Sequence, residues 1–417
     1  MPTVTVVTDV FLDLCLEVAQ ALGFPNLRVV VIPHPLGELR QNEVERRSKS
    51  IAPDVVKSLR ASAGVVGSGE DEETPGVLEI PGGWDELNDY FHARRWTDGL
   101  PITPPERHLV ARMIAAGGLP SDALVGIVPP RMGVATVENV ATNAVMAGCI
   151  PSFFPVVLAA VKAVCDPAFN LLPMQATTNP VTPMIIVNGP IAKKLDINAA
   201  DNVFGQGWRA NTTIGRALRF VLMNVGGGIP GKTDKACHGQ PGKLTFCIAE
   251  NEDRSPWEAL HVERGFSPGQ STVTVMGVTG TQDIIHYART SAAEILNTLI
   301  RAIPREGYKN LYSGGEPLIV FGPEQAAVLG VEGLTKKEVK RIIFERARAP
   351  LSLFNPETIK LVKGRRPALF SGTDLPEAIP IADRDEDIQI IVAGGAGNHT
   401  AFLPTWGDTQ CVTVAVE

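Results

Sequence analysis

The sequence predicts an α/β protein in which an N-terminal parallel βαβα half-domain, completed by another segment or chain, precedes a larger mixed α/β region. Three observations lead there. Apolar runs of strand length at 3–8 (TVTVVT), 27–32 (LRVVVI), 184–188 (MIIVN), 317–321 (PLIVF) and 387–393 (DIQIIVA) are continuous and not alternating, as in strands covered on both faces. Segments with helical spacing alternate with them. Finally, 40 Gly and 33 Pro against 6% aromatic residues point to many tight connections in place of one large aromatic core.

The length of 417 residues suggests about two or three domains, and an apolar fraction of 44% is ample for their cores. A net charge of -7 without a long basic cluster argues against nucleic acid as the main partner. No apolar run reaches the length of about 18 residues that a membrane span needs, and MPTVTVVTDV does not read as a secretory signal. A cytoplasmic protein is expected. The six cysteines, Cys15, Cys149, Cys165, Cys237, Cys247 and Cys411, contain no CxxC pair, so neither a disulfide scaffold nor a zinc knuckle fits their spacing.

In chain order, a strand at 3–8, a helix at 10–22, a strand at 27–32 and a charged amphipathic helix at 41–60 make the half-domain, residues 1–60. Two strands are too few for a stable parallel sheet, so further strands are expected from elsewhere in the chain or from another polypeptide. Residues 61–104 read as a linker wrapping a neighbouring surface, because Trp84, Tyr90, Phe91 and Trp96 need somewhere to bury. An α/β substrate domain is expected over 105–290. It has helices at 105–116 and 154–165, a helical segment at 135–149, and strands at 123–128, 184–188, 244–249 and 271–276. A second α/β domain is expected over 291–417. Its helices fall at 291–302, 323–329 and 335–348, and its strands at 317–321, 387–393 and 411–416. There is no internal repeat.

The richest stretch runs from Arg209 to Asn251. A hydroxyl-rich start (Asn211, Thr212, Thr213) opens a helix with apolar Ile214, Leu218, Val221 and Leu222 on one face, and the helix ends at Gly226-Gly227-Gly228. Such glycines mark a left-handed turn or a close approach. Lys232, Asp234, Lys235, Cys237 and His238 follow, and then a strand that delivers Glu250, Asn251 and Glu252.

Arg209 and Arg216 bracket that helix start and could clamp an anionic substrate, which exposed helix N-terminal amides would also favour. Asn139 and Asn143 lie four apart and share a helical face, where each amide needs a protein or ligand partner. Asn188 ends an apolar strand. Cys149 sits at a helix C-terminus, which disfavours the thiolate, so it is read as a packed thiol. Cys237-His238 is the one adjacent Cys/His pair and lies near cationic lysines; it is a candidate nucleophile-base pair or metal donor set. A strand-like reading of SPWEALHVERG places His261 and Glu263 on one face, as metal ligands, as proton-transfer groups with Glu250, or as a salt-bridged surface. His399, in the glycine loop GGAGNHT at 394–400, follows an apolar strand, a usual ligand position in α/β folds. That loop is not GxGxxG and lacks a Walker lysine, so it does not suggest a nucleotide.

VVTDVFLDLCLEVAQALGFPNLRVVVIPHPLGEL and the charged helix after it resemble the C-terminal half of the UGSC family, named for a Sec/Cys-Gly-Ser-Cys motif. No CGSC occurs in this chain, so its thiols cannot be assigned to any residue here. The resemblance implies a split domain, with the missing strands and the motif on a separate small subunit. The stretches TDGLPITPP, TVENVATNAVMAGC, TTNPVTPMIIVNGP, RANTTIGRALRFVLMNVGG and GGAGNHTAFLP resemble long bacterial proteins with a UGSC-like domain. The motif is itself similar to the selenocysteine loop of glycine and sarcosine reductases, in which a selenolate attacks carbon.

These readings converge on the large subunit of a two-subunit enzyme, a hetero-oligomer acting on a small polar or anionic molecule by thiol-dependent carbon–heteroatom chemistry. The expected catalytic groups are Glu250, His261, His399 and Cys237. The expected substrate contacts are Asn143, Asn188, Arg209, Asn211, Thr212 and Arg216. One alternative is a metal-dependent hydrolase or hydratase in which His238, His261 or Glu263 joins partner thiolates around a transition metal. The other is a non-catalytic scaffold that stabilises the thiol subunit.

Overall fold

A computed structural model describes residues 3–37, 39–60, 76–288, 290–372 and 375–417. The N-terminal unit consists of β1 (Thr5–Thr8), α1 (Leu12–Ala21), β2 (Val29–Ile32) and α2 (Gln41–Arg60). β1 and β2 pair in parallel, Thr5 opposite Val29 through Thr8 opposite Ile32, and no third described strand joins them. This is the predicted βαβα order. Within the stretch read as a linker, residues 61–75 lie outside the described residues. The remainder forms α3 (Trp84–Ala93), whose Phe91 is buried with Tyr90 and Trp96 packed around it in edge-on and tilted ring contacts.

The central region runs α4 (Arg107–Gly117), β3 (Leu124–Val128), β4 (Gly133–Thr136), α5 (Val137–Met146), α6 (Phe154–Val164), α7 (Leu171–Ala176), β5 (Thr182–Asn188), α8 (Pro190–Lys194), α9 (Arg209–Asn224), β6 (Cys247–Ala249), α10 (Leu260–Glu263), β7 (Thr272–Val278) and β8 (Gln282–Ile285). The C-terminal region adds α11 (Ala292–Ala302), α12 (Lys309–Ser313), β9 (Leu318–Phe321), α13 (Pro323–Val331), α14 (Lys336–Arg346), β10 (Arg348–Pro350), α15 (Pro356–Arg365), β11 (Ala378–Pro380), β12 (Gln389–Val392), β13 (His399–Leu403) and β14 (Val412–Ala415). α11 and α14 begin with capping boxes, Ser291 with Glu294 and Thr335 with Glu338, which satisfy otherwise unpaired N–H groups.

Two four-stranded sheets, ordered β14-β7-β5-β6 and β12-β9-β13-β8, form the heart of the molecule. Side-chain alternation puts Met184, Ile186, Ile248 and Met276 of the first sheet in one apolar cluster with Leu318, Val320, Ile391 and Leu403 of the second. The opposite faces pack on helices. Ile185, Val187 and Val273 meet α5, α6 and α9, while Ile319, Phe321 and Ile390 meet α11, α13 and α14. The result is a four-layer αββα sandwich, and burial on both faces is why these strands read as unbroken apolar runs.

Strand membership crosses the boundary expected near 290. β8 precedes it but pairs with β13, and β14, the last strand, pairs with β7. Hydrogen bonding between distant segments sets this exchange, and no local pattern signals it. The strand-like reading at His261 gives way to a single helical turn, α10, so His261 and Glu263 do not share a face in the way period-two geometry requires. Among the described residues no single helix is long and apolar enough to cross a membrane.

Candidate functional site

α9 positions a large recess. Its residue Gly215 lies so close to β6 that a Cβ there would come within 2.4 Å of the Thr245 hydroxyl and 2.6 Å of the Phe246 nitrogen. After Asn224 the chain turns through Gly227 at φ +73°, and the Thr233 hydroxyl pins the turn, donating to the Gly227 carbonyl at 2.5 Å and accepting from the Ile229 amide at 2.8 Å. The loop that follows returns to β6 and encloses a cleft of about 780 Å³ whose polar lining includes His92, Arg95, Arg219, Asp234, His238 and Lys243.

The cleft is cationic. Arg219 donates from Nε to the Lys243 carbonyl and from Nη2 to the Thr182 hydroxyl, both at 2.8 Å, which leaves its Nη1 without a hydrogen-bond partner among the described residues. Lys243 Nζ lies 2.5 Å from Asp234 Oδ2, and Asp234 Oδ1 accepts from the Ala236 amide at 3.1 Å. Burial pushes the Lys243 ammonium below its usual range; Asp234 opposes that shift, and Arg219 adds to it. Burial likewise lowers Arg219, against the pull of Asp234. Arg95, held at φ +59° on the facing wall, is exposed, and its guanidinium has no hydrogen bond or ion pair among the described residues. Asp98 also lines the cleft but is matched by Arg216 at 2.7 Å. Arg95, Arg219 and Lys243 are therefore balanced only by Asp234, leaving positive charge for an anion.

A second polar cluster sits at the carboxyl ends of β5 and β6. Glu250, 4% exposed, accepts through Oε2 from Asn188 Nδ2 at 2.6 Å and from the Leu260 amide at 2.8 Å. Asn188 Nδ2 also donates to Glu252 Oε1 at 3.0 Å, and the Gly189 amide reaches the same oxygen at 2.7 Å. His261 is 1% exposed, its Nδ1 4.0 Å from Glu252 Oε1. Asn188 Oδ1, Glu250 Oε1 and both His261 ring nitrogens are buried without a partner. Burial raises the Glu250 carboxyl, with Lys336 and the two donated hydrogen bonds opposing it. The cluster lies at Asn188 and the cleft at Thr182, opposite ends of β5, about 20 Å apart at roughly 3.3 Å per residue.

Of the residues anticipated from sequence, Asn188, Glu250 and His261 thus meet, and His238 lines the cleft. The others have different work. Arg216 gives both arms to Asp98 and also donates to the Leu100 and Pro101 carbonyls, so it clamps the chain, and no arm is left for a substrate. Arg209 donates twice to the Gly148 carbonyl beyond the end of α5, on the rim of a shallower recess of about 340 Å³. Asn211 spends both ends of its amide on the Asn198 backbone, and Thr212 bonds back to the Trp208 carbonyl. Asn143 accepts from Asn224 at 2.7 Å and donates to the Asn139 carbonyl, tying α5 to α9. These side chains satisfy buried backbone and one another, which local sequence cannot distinguish from ligand binding.

Cys237 is the exposed thiol among the six, its amide bonded to the Thr178 carbonyl, and it is absent from the cleft lining. His399 pairs with Asp283 at 2.9 Å on the surface, with its side chain 52% exposed. Glu263 lies between Lys336 and Lys340; burial alone would raise its carboxyl, but the two ammonium groups outweigh that and hold it low. Among the described residues no three His, Cys, Asp or Glu side chains gather as a metal site; His238 lines the cleft, whereas Glu263 is taken up by the two lysines. Cys149 is a packed thiol, pushed up to about 12 by burial.

The N-terminal unit meets the cleft wall. Glu17 of α1 lies 3.3 Å from Arg131 Nε and pairs with Lys232, which follows the cleft residue Gly231. The Arg131 side chain crosses the face of Gly227, where any Cβ would collide with it at 2.5 Å. Residues 1–61 match the UGSC family. Nothing matches among curated proteins or among solved structures. In the UGSC-matching unit the carboxyl ends of both strands carry a polar group of their own. Asp9 Oδ1 accepts from the Val10 and His34 amides at 2.8 and 3.1 Å, and the Thr8 hydroxyl lies 3.2 Å from His34 Nδ1.

Sequence reasoning passed over Glu17, His34, Arg95, Arg131, Arg219 and Lys243. Arg219 offered one signal, a cation on the otherwise apolar side of an amphipathic helix, where only a buried acceptor makes it tolerable. The rest look like ordinary surface residues until the chain folds.

Proposed function

We propose that this chain is the substrate-binding component of an enzyme that acts on a small anionic molecule in the cationic cleft. The thiol chemistry would come from a segment bearing a Cys-Gly-Ser-Cys-type motif that completes the UGSC-matching unit. The observation that carries the reading is the pairing of Glu17 with Arg131 and Lys232, which seats that unit against the cleft wall. Two further features support it. The strand pair has no other described strand beside it, and Val6 and Val31 within it are 45% and 40% exposed. An incomplete parallel sheet with exposed apolar residues is the surface that another strand covers. The cleft's unmatched cations suit a carboxylate or phosphate-like group.

The test has two parts. Coexpression with candidate small open reading frames carrying CGSC, followed by native mass spectrometry, should give a defined complex that Val6→Asp abolishes. Small carboxylates should bind the chain and lose affinity in Arg95→Ala. Failure of every such partner to bind removes the thiol component, and carboxylate binding indifferent to Arg95 removes the cleft.

A further inference from the structure

Within the cleft, one pair of residues has the arrangement of a reacting group. Lys243 lines the recess and holds its ammonium 2.5 Å from Asp234 Oδ2. Its backbone is fixed from both sides, the carbonyl by Arg219 Nε at 2.8 Å and the amide by the Gln240 carbonyl at 3.0 Å. The side chain is 19% exposed, enough for a ligand in the cleft to reach it and too little for free solvation. Asp234 is itself oriented by the Ala236 amide, so its Oδ2 is presented to the amine.

We propose that Lys243 forms a Schiff base with a 2-oxo acid bound in this cleft, its carboxylate held by Arg95 and the free Nη1 of Arg219. The proposal rests on the anion-binding reading above and names its substrate class. Asp234 takes a proton from the ammonium, and the free amine adds to the ketone carbon. The nitrogen passes one proton to the developing alkoxide to give the carbinolamine, whose hydroxyl then leaves as water with the proton that Asp234 holds, and the nitrogen ends as a protonated imine. Ammonium plus ketone thus become iminium plus water, with charge conserved and no external oxidant or reductant. A lysine partly desolvated beside a second cation is the environment in which an amine becomes a nucleophile near neutral pH. Burial and Arg219 both act in that direction here. An amine whose base is within hydrogen-bond distance meets the geometric requirement for proton transfer.

The full chain, incubated separately with glyoxylate, pyruvate and 2-oxoglutarate and then treated with sodium borohydride, tests this by peptide mass spectrometry. We expect one reduced adduct, located on Lys243, absent in Lys243→Arg and formed at least tenfold more slowly in Asp234→Asn, with both variants keeping the circular dichroism of the parent. Equilibrium binding of the same acids without borohydride separates the two levels of the argument. Binding that depends on Arg95 but yields no Lys243 adduct overturns the Schiff base and leaves the anion site standing. Absence of binding overturns both, and adducts spread over surface lysines and unchanged in Lys243→Arg overturn the assignment to this residue.

Discussion

Glu17 and Arg131 stand 114 positions apart in sequence and 3.3 Å apart in space, Glu17 on the first helix and Arg131 on the loop that packs over the glycine turn. This ion pair, with Lys232 on its other side, connects the UGSC-matching unit to the wall of the cleft. Arg131 is 45% exposed, so the pair is worth only about 0.2–1 kcal/mol after screening. Glu17→Gln should therefore leave the melting temperature almost unchanged while amide hydrogen exchange rises in β1, α1 and β2. Unchanged exchange there would show that other contacts hold the unit in place.

Arg95 should behave as a binding residue with no structural duty. It is exposed and without a described partner, so Arg95→Ala is expected to keep stability within about 0.5 kcal/mol. Loss of a charged hydrogen bond to a carboxylate, about 1.5–3 kcal/mol, should weaken anion binding tenfold or more. Titration calorimetry and thermal melts on the same samples would separate the two effects.

Arg216 should show the reverse. Its side chain is 12% exposed and that of Asp98 only 3%, with two parallel hydrogen bonds between them. Removing one partner of so buried a pair costs about 3–5 kcal/mol. A large fall in denaturant midpoint for Arg216→Ala, with a smaller further loss in the Asp98→Ala double variant, is expected from urea titrations. A small fall would return Arg216 to the list of substrate contacts.

Glu250 imposes a pH dependence. Burial raises its carboxyl in the folded state, so the unfolded chain gives up its proton first as pH rises. The folded state then binds more protons than the unfolded one, and stability falls with pH above the ordinary Glu range until the folded-state carboxyl ionises. Glu250→Gln keeps an oxygen for the Asn188 and Leu260 donors and should flatten this slope, equalling or exceeding the parent at pH 8. Glu250→Ala leaves the Leu260 amide unpaired and Asn188 Nδ2 with Glu252 alone, and should cost about 1–3 kcal/mol. Chemical denaturation from pH 5 to 8 reads both.

The thiols should divide by burial. Cys237 is exposed, whereas Cys149 and Cys411 are buried and pushed up to about 12, and Cys247 is raised as well. Cys15 and Cys165 are half-buried, both raised by burial. A disulfide exchange reagent at pH 8 should find one fast thiol, abolished by Cys237→Ser, with Cys149, Cys247 and Cys411 reacting only on unfolding.

Local chemistry in the chain determined much of this protein. Continuous Val/Ile runs such as 184–188 and 317–321 announced strands buried on both faces, periodic apolar residues announced α6 and α9, and the Gly226–Gly228 run announced a turn with something packed against it. The two N-terminal strands announced a parallel pair short of neighbours. These features depend on backbone propensity and burial periodicity, which act within a few residues.

Tertiary structure alone decided which polar residues are left for function. Arg216 and Arg95 are the same residue type near the same cleft. One is consumed by Asp98, 118 positions away, and the other has no described partner. Asn188 and Asn211 are likewise both buried amides, yet Asn211 completes a backbone while Asn188 joins Glu250 with its oxygen unpaired. The exchange of β8 and β14 between the two sheets has the same origin. Hydrogen bonds and charges are satisfied by whatever the fold brings near, and their partners lie tens to hundreds of residues away, beyond the reach of any local pattern.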